Sequence, residues 1–451
     1  MRARLGVCTL ASVLALAATA PAGARAGGFG VPEMGARRTG MGAVVGRPDE
    51  PAAVFHNPAG LVLLPGVRLY TSMGLALLRT DFQLHTWDGS DRFITDVQPD
   101  ADGYYPTVRP TRAMAVIPML VVTYEAIPDR LYLAASTYVT NATGASFDED
   151  AVTRYHLIDG YVVSPLGQLS AAYRINRVWS VGAGAGLLNV RVHGHRYVFP
   201  LIDNDNDPST PPFDASVITG SKPELTLDGS DWKLAWNAGL LVQPTKKLSL
   251  GAAVIARVDP TLEGPIKLVY SDDAPNPGDT YNGIARTGLV LPWTFHAGAN
   301  YDVHPKVEIG FDFRYWLYRQ YKSQHTDIDG IALVSQLDTP KNFHDAQQLS
   351  GGVRVHDLAA LPGLELMAGG HYDRTPAPPE TVTLDQPTFS HVAIRSGLRY
   401  QRGRYRIGAT YLHQWFFIPT ITDSITSPPS NVRGHGTNNI ITLTFEAKVG
   451  R

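Results

Sequence analysis

The sequence predicts an all-β protein: a 14-stranded antiparallel transmembrane β-barrel with a small, partly helical N-terminal hatch that plugs the lumen. Three observations predict this fold. Strand-like runs of roughly ten residues recur from about residue 66 to the end of the chain. Tight turns alternate with long polar loops between these runs, as in outer-membrane barrels, whose turns are periplasmic and whose loops are outside. One N-terminal stretch lacks the strand pattern altogether.

Residues 1–26 have the features of a secretory signal peptide. Met1–Arg4 is basic, Leu10–Ala20 is small and apolar, and Ala24–Ala26 is an A-x-A cleavage pattern. Cys8, the single cysteine, precedes the apolar core, which disfavours a lipoprotein, so we expect an exported mature chain without disulfides. Removing three arginines from 39 basic residues leaves 36 against 41 acidic ones, a net charge of −5. This balance offers no basic excess for a nucleic acid.

Residues 27–64 form the predicted hatch. Asp49 and Glu50 precede Pro51, which suits a first helical turn, because acids are favoured there and proline needs no N–H partner. Asn57–Pro58 ends the short apolar run that follows, since a residue before proline avoids the α conformation. Such a segment cannot be a wall strand, so we expect it to lie inside a barrel formed by residues 65–451.

Six tight connections divide the rest of the chain into pairs of strands, and seven long segments rich in Asp, Asn, Pro, Gly and Ser separate those pairs. Six short turns and seven long loops connect 14 strands. One of the long segments is Asp203–Asp214, which is predicted to be extracellular. The tight connections are Ala126–Arg130, Arg174–Val178, Pro244–Lys247, Asp302–Lys306, His356–Gly363 and Gln401–Arg404.

Side chains alternate along these runs as membrane strands require. Trp293 and Phe295 lie on one face of a run, whereas Thr294 and His296 lie on the other. Soluble sandwiches alternate too, but their strands have about 5–6 residues and membrane strands about 9–11. Tyr and Trp also gather near strand ends, as they do at membrane interfaces. In Val181–Val192 the apolar positions change from odd to even numbers, which predicts a β-bulge near Leu188–Asn189.

The segment GGFGVPEMGARRTGMGAVVGRPDEPAAVFHNPAGL (Gly27–Leu61) resembles the N-terminus of the outer-membrane long-chain fatty acid transport proteins, the FadL/TodX family. Leu291–Tyr318 and His371–Pro378 resemble the same family more weakly. The resemblance implies a 14-stranded barrel with a hatch in its lumen. It also implies passive uptake of long-chain fatty acids or hydrocarbons, with hatch-gated release through a lateral opening into the membrane.

The resemblance assigns gating to part of the hatch. The family's Asn-Pro-Ala motif lies close to the lateral opening, and it corresponds here to Asn57, Pro58 and Ala59. Phe55 belongs to the same A-V-F-x-N-P-A-G-L pattern of the resemblance and is also an expected gating residue. We expect a monomer in the bacterial outer membrane whose partners are hydrophobic small molecules and membrane lipids.

Catalytic and metal motifs do not stand out in the sequence. It contains no H-E-x-x-H, G-x-S-x-G, P-loop or G-x-G-x-x-G pattern, so we expect no enzyme activity, cofactor or metal. His193-x-His195 is too short a pattern for a zinc site, and Asp203–Asp207 begins like a calcium loop before Pro208 takes the glycine position. Two alternatives stay open: an outer-membrane enzyme such as a lipase or protease, and a general polar porin.

Charged residues at inward strand positions are candidates for binding a substrate carboxylate. Arg395, Arg399 and Arg406 are the predicted site, because their two strands carry three inward bases and no inward acid. Arg314 is expected to be paired, since Asp312 lies two residues away on the same face. The full inward set is Lys233, Arg257, Glu308, Asp312, Arg314, Arg354, Glu365, Arg395, Arg399 and Arg406.

Overall fold

The computed structural model describes residues 30–31, 33–86, 97–111, 113–198, 223–269, 278–331, 335–358 and 361–449. The predicted signal peptide, residues 1–26, and the predicted extracellular segment Asp203–Asp214 lie outside the described residues. No helix in these ranges is long and apolar enough to cross a membrane.

Eighteen strand segments of the described chain form one antiparallel sheet that closes on itself. The first strand pairs with the last along its whole length, from Val67 opposite Val449 to Leu84 opposite Val432. The strands are β1 (Val67–Leu84), β2 (Met114–Ile127), β3 (Leu131–Ser146), β4 (Asp159–Arg174), β5 (Trp179–Tyr197), β6 (Glu224–Val242), β7 (Leu248–Ile255), β8 (Thr261–Val269), β9 (Thr280–Gly288), β10 (Thr294–His304), β11 (Val307–Trp316), β12 (Ser323–Asp329), β13 (Gln336–Pro340), β14 (Ala346–Val355), β15 (Leu364–Arg374), β16 (Ser390–Arg402), β17 (Tyr405–Phe417) and β18 (Val432–Val449).

These segments make 14 wall strands. Four wall strands are interrupted on the loop side, so that β7 continues as β8, β9 as β10, β11 as β12 and β13 as β14; 18 segments minus four interruptions give 14 among the described residues. The predicted strand number is therefore confirmed. All six predicted tight connections also join sequential antiparallel strands, as predicted. Short 3₁₀ helices follow on the loop side at Val152–Tyr155, Tyr318–Gln320 and Pro379–Thr381.

The two faces of the wall differ as the alternation predicts. The outward positions carry apolar side chains that are unusually exposed for large hydrophobic residues, such as Leu169 at 71% and Leu234 at 67%. Inward positions carry buried polar side chains, including Gln168, Asp312 and Arg395. An apolar exterior around a polar interior is what a lipid-embedded barrel requires.

The prediction of a β-bulge near Leu188–Asn189 is wrong. β5 pairs with β6 from Trp179 to Tyr197 without any shift in register. Even-numbered residues face inward throughout, so Leu188 and Val190 are apolar because the lumen itself is apolar at that level. A bulge occurs instead in β3, where the pairing with β4 shifts between Val139 and Asn141.

The described part of the hatch, residues 30–31 and 33–64, consists of three short helices inside the barrel. They are α1 (Ala36–Met41), α2 (Ala53–His56) and the 3₁₀ helix η1 (Pro58–Leu63). Almost every hatch side chain is buried against the inner wall. Two wall glycines allow this close approach: a Cβ at Gly239 would overlap the Asn57 side chain, and one at Gly251 would overlap the Val45 carbonyl.

Candidate functional site: the hatch and the wall it contacts

Ion pairs join the hatch to the wall near the tight turns. Arg37 and Arg47 of the hatch both pair with Glu308 of β11. Asp49 of the hatch receives Arg354 at 3.0 Å and Arg399 at 3.3 Å. We call these residues, together with Glu50, Asp302 and Glu365, the turn-end ionic network. It fills the end of the lumen beside the tight turns with charges.

The expectation that Arg395, Arg399 and Arg406 lack carboxylate partners is wrong. Arg395 pairs with Glu33 at 3.0 Å, Arg399 with Glu365 at 2.6 Å, and Arg406 with Glu446 at 3.4 Å. The acids come from the hatch and from other strands, which strand parity cannot place. The three arginines therefore begin as neutralised groups, and a substrate carboxylate would have to compete for them.

The expectation that Arg314 pairs with Asp312 is also wrong. Its expected partner Asp312 instead accepts hydrogen bonds from the backbone N–H groups of Val44 and Val45, at 2.7 and 3.1 Å. Arg314 is buried, and no carboxylate of the described chain lies within 4.0 Å of its guanidinium nitrogens. Its Nη2 donates to Nδ1 of His56 at 2.9 Å, and its Nε has no hydrogen-bond partner. Arg314 is thus a buried cation without a matched acid.

Titration in the hatch follows burial and neighbouring charge. Burial raises the pKa of Glu33, but Arg38, Arg395 and Arg314 outweigh it and lower that pKa to about 2. Burial dominates at Glu50 and raises its pKa to about 7, despite Arg399 nearby. Burial also lowers the pKa of His56, and the Arg314 charge lowers it further. Glu33 is therefore a firm anion at neutral pH, whereas His56 is neutral.

The Asn-Pro-Ala motif fixes the hatch at its centre. The side-chain amide of Asn57 donates to the carbonyls of Val45 and Leu240, both at 3.0 Å, and its Oδ1 accepts from the Ala59 N–H at 3.2 Å. Pro58 starts η1, where it needs no hydrogen-bond donor. This one motif therefore joins the two hatch halves to β6.

An internal cavity of about 80 Å³ lies between the hatch and the wall. Its walls are mainly apolar and include Phe55, Leu188 and Trp316. Arg314 also lines it. The cavity reaches the β3 bulge through Thr140 and Asn141, so a guest molecule there would lie against the bulged strand.

A second cavity of about 690 Å³ is a groove on the outer face of β2 to β5, and it includes exposed Gly167 and Leu187. Three side chains line both the internal cavity and this groove: Tyr138, Leu166 and Gln168. We call these three residues the partition. The lumen and the lipid-facing surface are therefore one layer of side chains apart at β3 and β4.

The hatch holds the partition in place. Phe55 packs edge-on against Tyr138, with ring centroids 5.7 Å apart. The Tyr138 hydroxyl donates to Oε1 of Gln168 at 2.7 Å, and the amide of Gln168 donates to the Val54 carbonyl at 3.2 Å. Asn237 donates to the same carbonyl at 2.8 Å. Movement of α2 would remove one hydrogen-bond acceptor of Gln168, the Val54 carbonyl, and the ring that supports Tyr138.

The sequence-predicted gating residues thus lie together, but the partition was not predicted. Asn57, Pro58 and Ala59 contact β5 and β6, while Phe55 reaches β3. Tyr138 and Gln168 were missed because an inward polar residue is ordinary in a barrel. The available signal was the run Gln168-Leu169-Ser170, in which two inward hydrogen-bonding groups flank a lipid-facing leucine.

The model of the family "Outer membrane protein transport protein (OMPP1/FadL/TodX)" matches residues 15–446 of this chain. The chain belongs to this family. Membership places the protein among outer-membrane transport proteins and not among enzymes.

Curated relatives of the FadL/TodX family align over part of their length. The long-chain fatty acid transport protein of Escherichia coli O6:H1 is 24% identical over 266 residues, which cover 54% of this chain and 58% of the relative. The protein of the same name from Salmonella typhi is 22% identical over 261 residues, with the same two coverages. The chain therefore spans a little over half the length of these relatives.

Solved structures of the family share the fold along nearly the whole chain. A Pseudomonas aeruginosa FadL homologue superimposes with a TM-score of 0.74 at 16% identity, covering 93% of this chain and 99% of the other. The Pseudomonas putida toluene transporter TodX gives a TM-score of 0.67 at 15% identity, covering 93% and 99%. At these identities the likeness shows the fold.

Proposed function

We propose that this FadL/TodX-family protein is a passive outer-membrane channel for hydrophobic molecules, either long-chain fatty acids or hydrocarbons. Relatives named as long-chain fatty acid and toluene transporters support this class of cargo. The channel works as a monomer, and the lipids of the outer membrane receive what it releases.

The turn-end ionic network makes an axial exit unfavourable. A cargo leaving along the barrel axis would have to separate ion pairs such as Arg37–Glu308 and Arg399–Glu365. Removing one partner of a buried ion pair costs about 3–5 kcal/mol. An apolar molecule offers no charge to replace the lost partner. The same filled lumen disfavours a general polar porin.

The partition carries the proposal of lateral release. The internal cavity and the outer groove share Tyr138, Leu166 and Gln168, so displacing these side chains would join the lumen to the lipid phase. The β3 bulge beside them removes regular pairing from the wall at this point. Apolar cargo can cross here without meeting water, and burial of each CH₂ group contributes about 0.8 kcal/mol.

The hatch gates this exit through α2 and the Asn-Pro-Ala motif. Val54 holds Gln168, Phe55 holds Tyr138, and Asn57 holds α2 against β6. Pro58 and Ala59 fix the turn that follows. A small shift of α2 therefore frees the partition while the remaining barrel stays closed.

Filling the outer groove tests the lateral route. Gly167 lies on the exposed face of β4, and an added Cβ there meets no atom within 4 Å, so Gly167→Phe places a ring in the groove without straining the wall. We expect uptake of oleate and of toluene to fall several-fold in cells or liposomes carrying this variant.

The matched control is Ala368→Phe, an exposed position on β15 across the barrel. It adds the same ring to the lipid-facing surface, so uptake should stay at the unsubstituted level. Both variants should remain folded, as judged by heat-modifiable migration in gels. Unchanged uptake in folded Gly167→Phe would show that cargo does not leave through this groove.

A further inference from the structure

Glu33 is a hatch carboxylate enclosed by arginines. It pairs with Arg395 of β16 at 3.0 Å and with Arg38 of α1 at 3.2 Å, and all three side chains are buried. Arg314 is a third cation within electrostatic reach of the same carboxylate. Two of these guanidiniums already bind a carboxylate, and the third adds positive charge beside it. Guanidiniums suit a carboxylate because each offers a planar fork of N–H donors.

This arginine site borders the internal cavity. Arg314 lines that cavity, donates to His56, and keeps its Nε without a partner. Glu33, Arg38 and Arg395 are not among the residues that line the cavity, and Glu33 pairs with both of these arginines. Of the three guanidiniums, the one that a guest in the cavity can contact is therefore that of Arg314, whereas the other two are occupied by the chain's own carboxylate.

We propose that Glu33 is an internal stand-in for the carboxylate of the cargo, and that a fatty acid anion takes its place on Arg38, Arg314 and Arg395. This inference rests on the proposed function and narrows it to carboxylate-bearing cargo. The exchange swaps one carboxylate for another on Arg38 and Arg395, so these two buried arginines stay paired, and Arg314 gains a carboxylate partner that it lacks in this structure. A buried charge left without a partner would be costly.

The exchange also acts on the hatch, because Glu33 is close to the segment that covers the β3 bulge. The N–H of Val31 donates to the Thr140 carbonyl at 2.9 Å, and Gly30 forms a β-bridge with Asn141. Both contacts lie at the bulge, beside the internal cavity. Releasing Glu33 removes the ion pairs that anchor this segment, so binding of an anion at the arginines loosens the cover of the exit.

A neutral hydrocarbon cannot displace Glu33, since it offers nothing to the guanidiniums. The test therefore compares oleate with oleyl alcohol, which share the same chain and differ in the charged group. Binding of each is measured by tryptophan fluorescence with the full-length mature protein in a non-ionic detergent. The unsubstituted protein should bind both, which checks the proposed function separately.

Glu33→Gln removes the competing charge and keeps a similar shape. We expect it to bind oleate about tenfold more tightly than the unsubstituted protein, with oleyl alcohol changed by less than about twofold. Arg314→Met should have the opposite effect, weakening oleate about tenfold and leaving oleyl alcohol nearly unchanged. Arg68→Met is the matched control, because Arg68 is a buried arginine that pairs with Glu446 away from the cavity.

Each result decides the question. Equal oleate affinity in Glu33→Gln and the unsubstituted protein would overturn the stand-in role. Equal losses of oleate and oleyl alcohol in Arg314→Met would show that Arg314 only supports the cavity wall. If the unsubstituted protein bound neither ligand, the proposed function itself would be wrong. Should Glu33→Gln fail to fold, Arg314→Met still tests the arginine site.

Discussion

Asn57 shows how much a single hatch side chain determines. It uses both amide protons on backbone carbonyls, of Val45 in the hatch and Leu240 in the wall, and its oxygen caps η1 through Ala59. Asparagine suits this role because one planar group offers two donors and an acceptor. The adjoining wall glycine Gly239 leaves the space that the side chain occupies.

Substituting Asn57 should loosen the hatch and reduce uptake. Asn57→Ala removes the donor to the carbonyls of Val45 and Leu240, and leaving the buried Val45 carbonyl unpaired costs about 1–3 kcal/mol. Phe55 then loses its fixed place in the cavity wall. Asn57→Asp should be worse, because it keeps the cap acceptor but sets a negative charge against two carbonyl oxygens. Oleate uptake and heat-modifiable migration measure the two effects; full uptake by either folded variant would contradict this role.

The sequence could identify lumen arginines but not their partners. Strand parity correctly put Arg314, Arg395 and Arg399 inside, because period-2 alternation follows from strand geometry. The hatch partners of Arg395 and Arg399, which are Glu33 and Asp49, lie hundreds of residues away in a segment without periodicity. Local pattern carries no information about which hatch residue meets which strand, so the choice of an unpaired arginine failed.

The hatch as an element contains two buried groups whose titrations oppose each other. Glu50 has a raised pKa of about 7 in the closed hatch. Its contribution to the stability of the closed hatch is therefore complete below about pH 4.5 and is lost as the pH rises towards 7. His56 has a pKa well below 6.5 in the closed hatch. Its contribution to the stability of the closed hatch is therefore complete above pH 6.5 and is lost as the pH falls. Just below pH 6.5 the two changes therefore have opposite signs.

Glu50→Gln should expose the His56 titration. In the unsubstituted protein the free energy of hatch opening should change little with pH just below 6.5, because the two titrations oppose each other. In Glu50→Gln this free energy should rise with pH there, by at most about 1.4 kcal/mol per pH unit, because opening the hatch then lets one proton bind to His56. Hydrogen exchange of the amides of Ala52–Ala59, corrected for intrinsic rates, measures this free energy. A flat profile in both proteins would refute the pairing of these titrations.

The strands could be predicted from the sequence in more detail than the hatch contacts. Their ends and turns follow from local chemistry, and all six turns were located from sequence. The bulge was predicted in the wrong strand because apolar residues in β5 switch from odd to even positions, and two different structures produce that switch. A bulge reverses the faces, whereas an apolar lumen simply adds Leu188 and Val190 to the inward face.

At the scale of the whole molecule, the barrel is asymmetric from end to end. The turn end is filled by the turn-end ionic network, and the proposed exit lies midway along β3 and β4. The axial path requires breaking ion pairs and the proposed lateral path requires moving three side chains, which is why we propose lateral release of apolar cargo. Strand count and face polarity predicted the barrel, whereas the argument for the route of the cargo depends on the hatch contacts.

The same asymmetry predicts which connections the barrel can lose. β5 and β6 are joined by residues 198–223, which number 26, and their ends already pair at Tyr197 and Glu224. Deleting Asp203–Asp214 removes 12 residues and leaves 14, whereas a hairpin needs only about two. We expect the deletion variant to assemble and migrate as a heat-modifiable barrel.

Deleting Asn176 and Arg177 from the turn between β4 and β5 should instead impair assembly, because Asn176 accepts hydrogen bonds from two backbone N–H groups there. Loss of assembly in the first variant, with normal assembly in the second, would reverse the assignment of loop and turn sides.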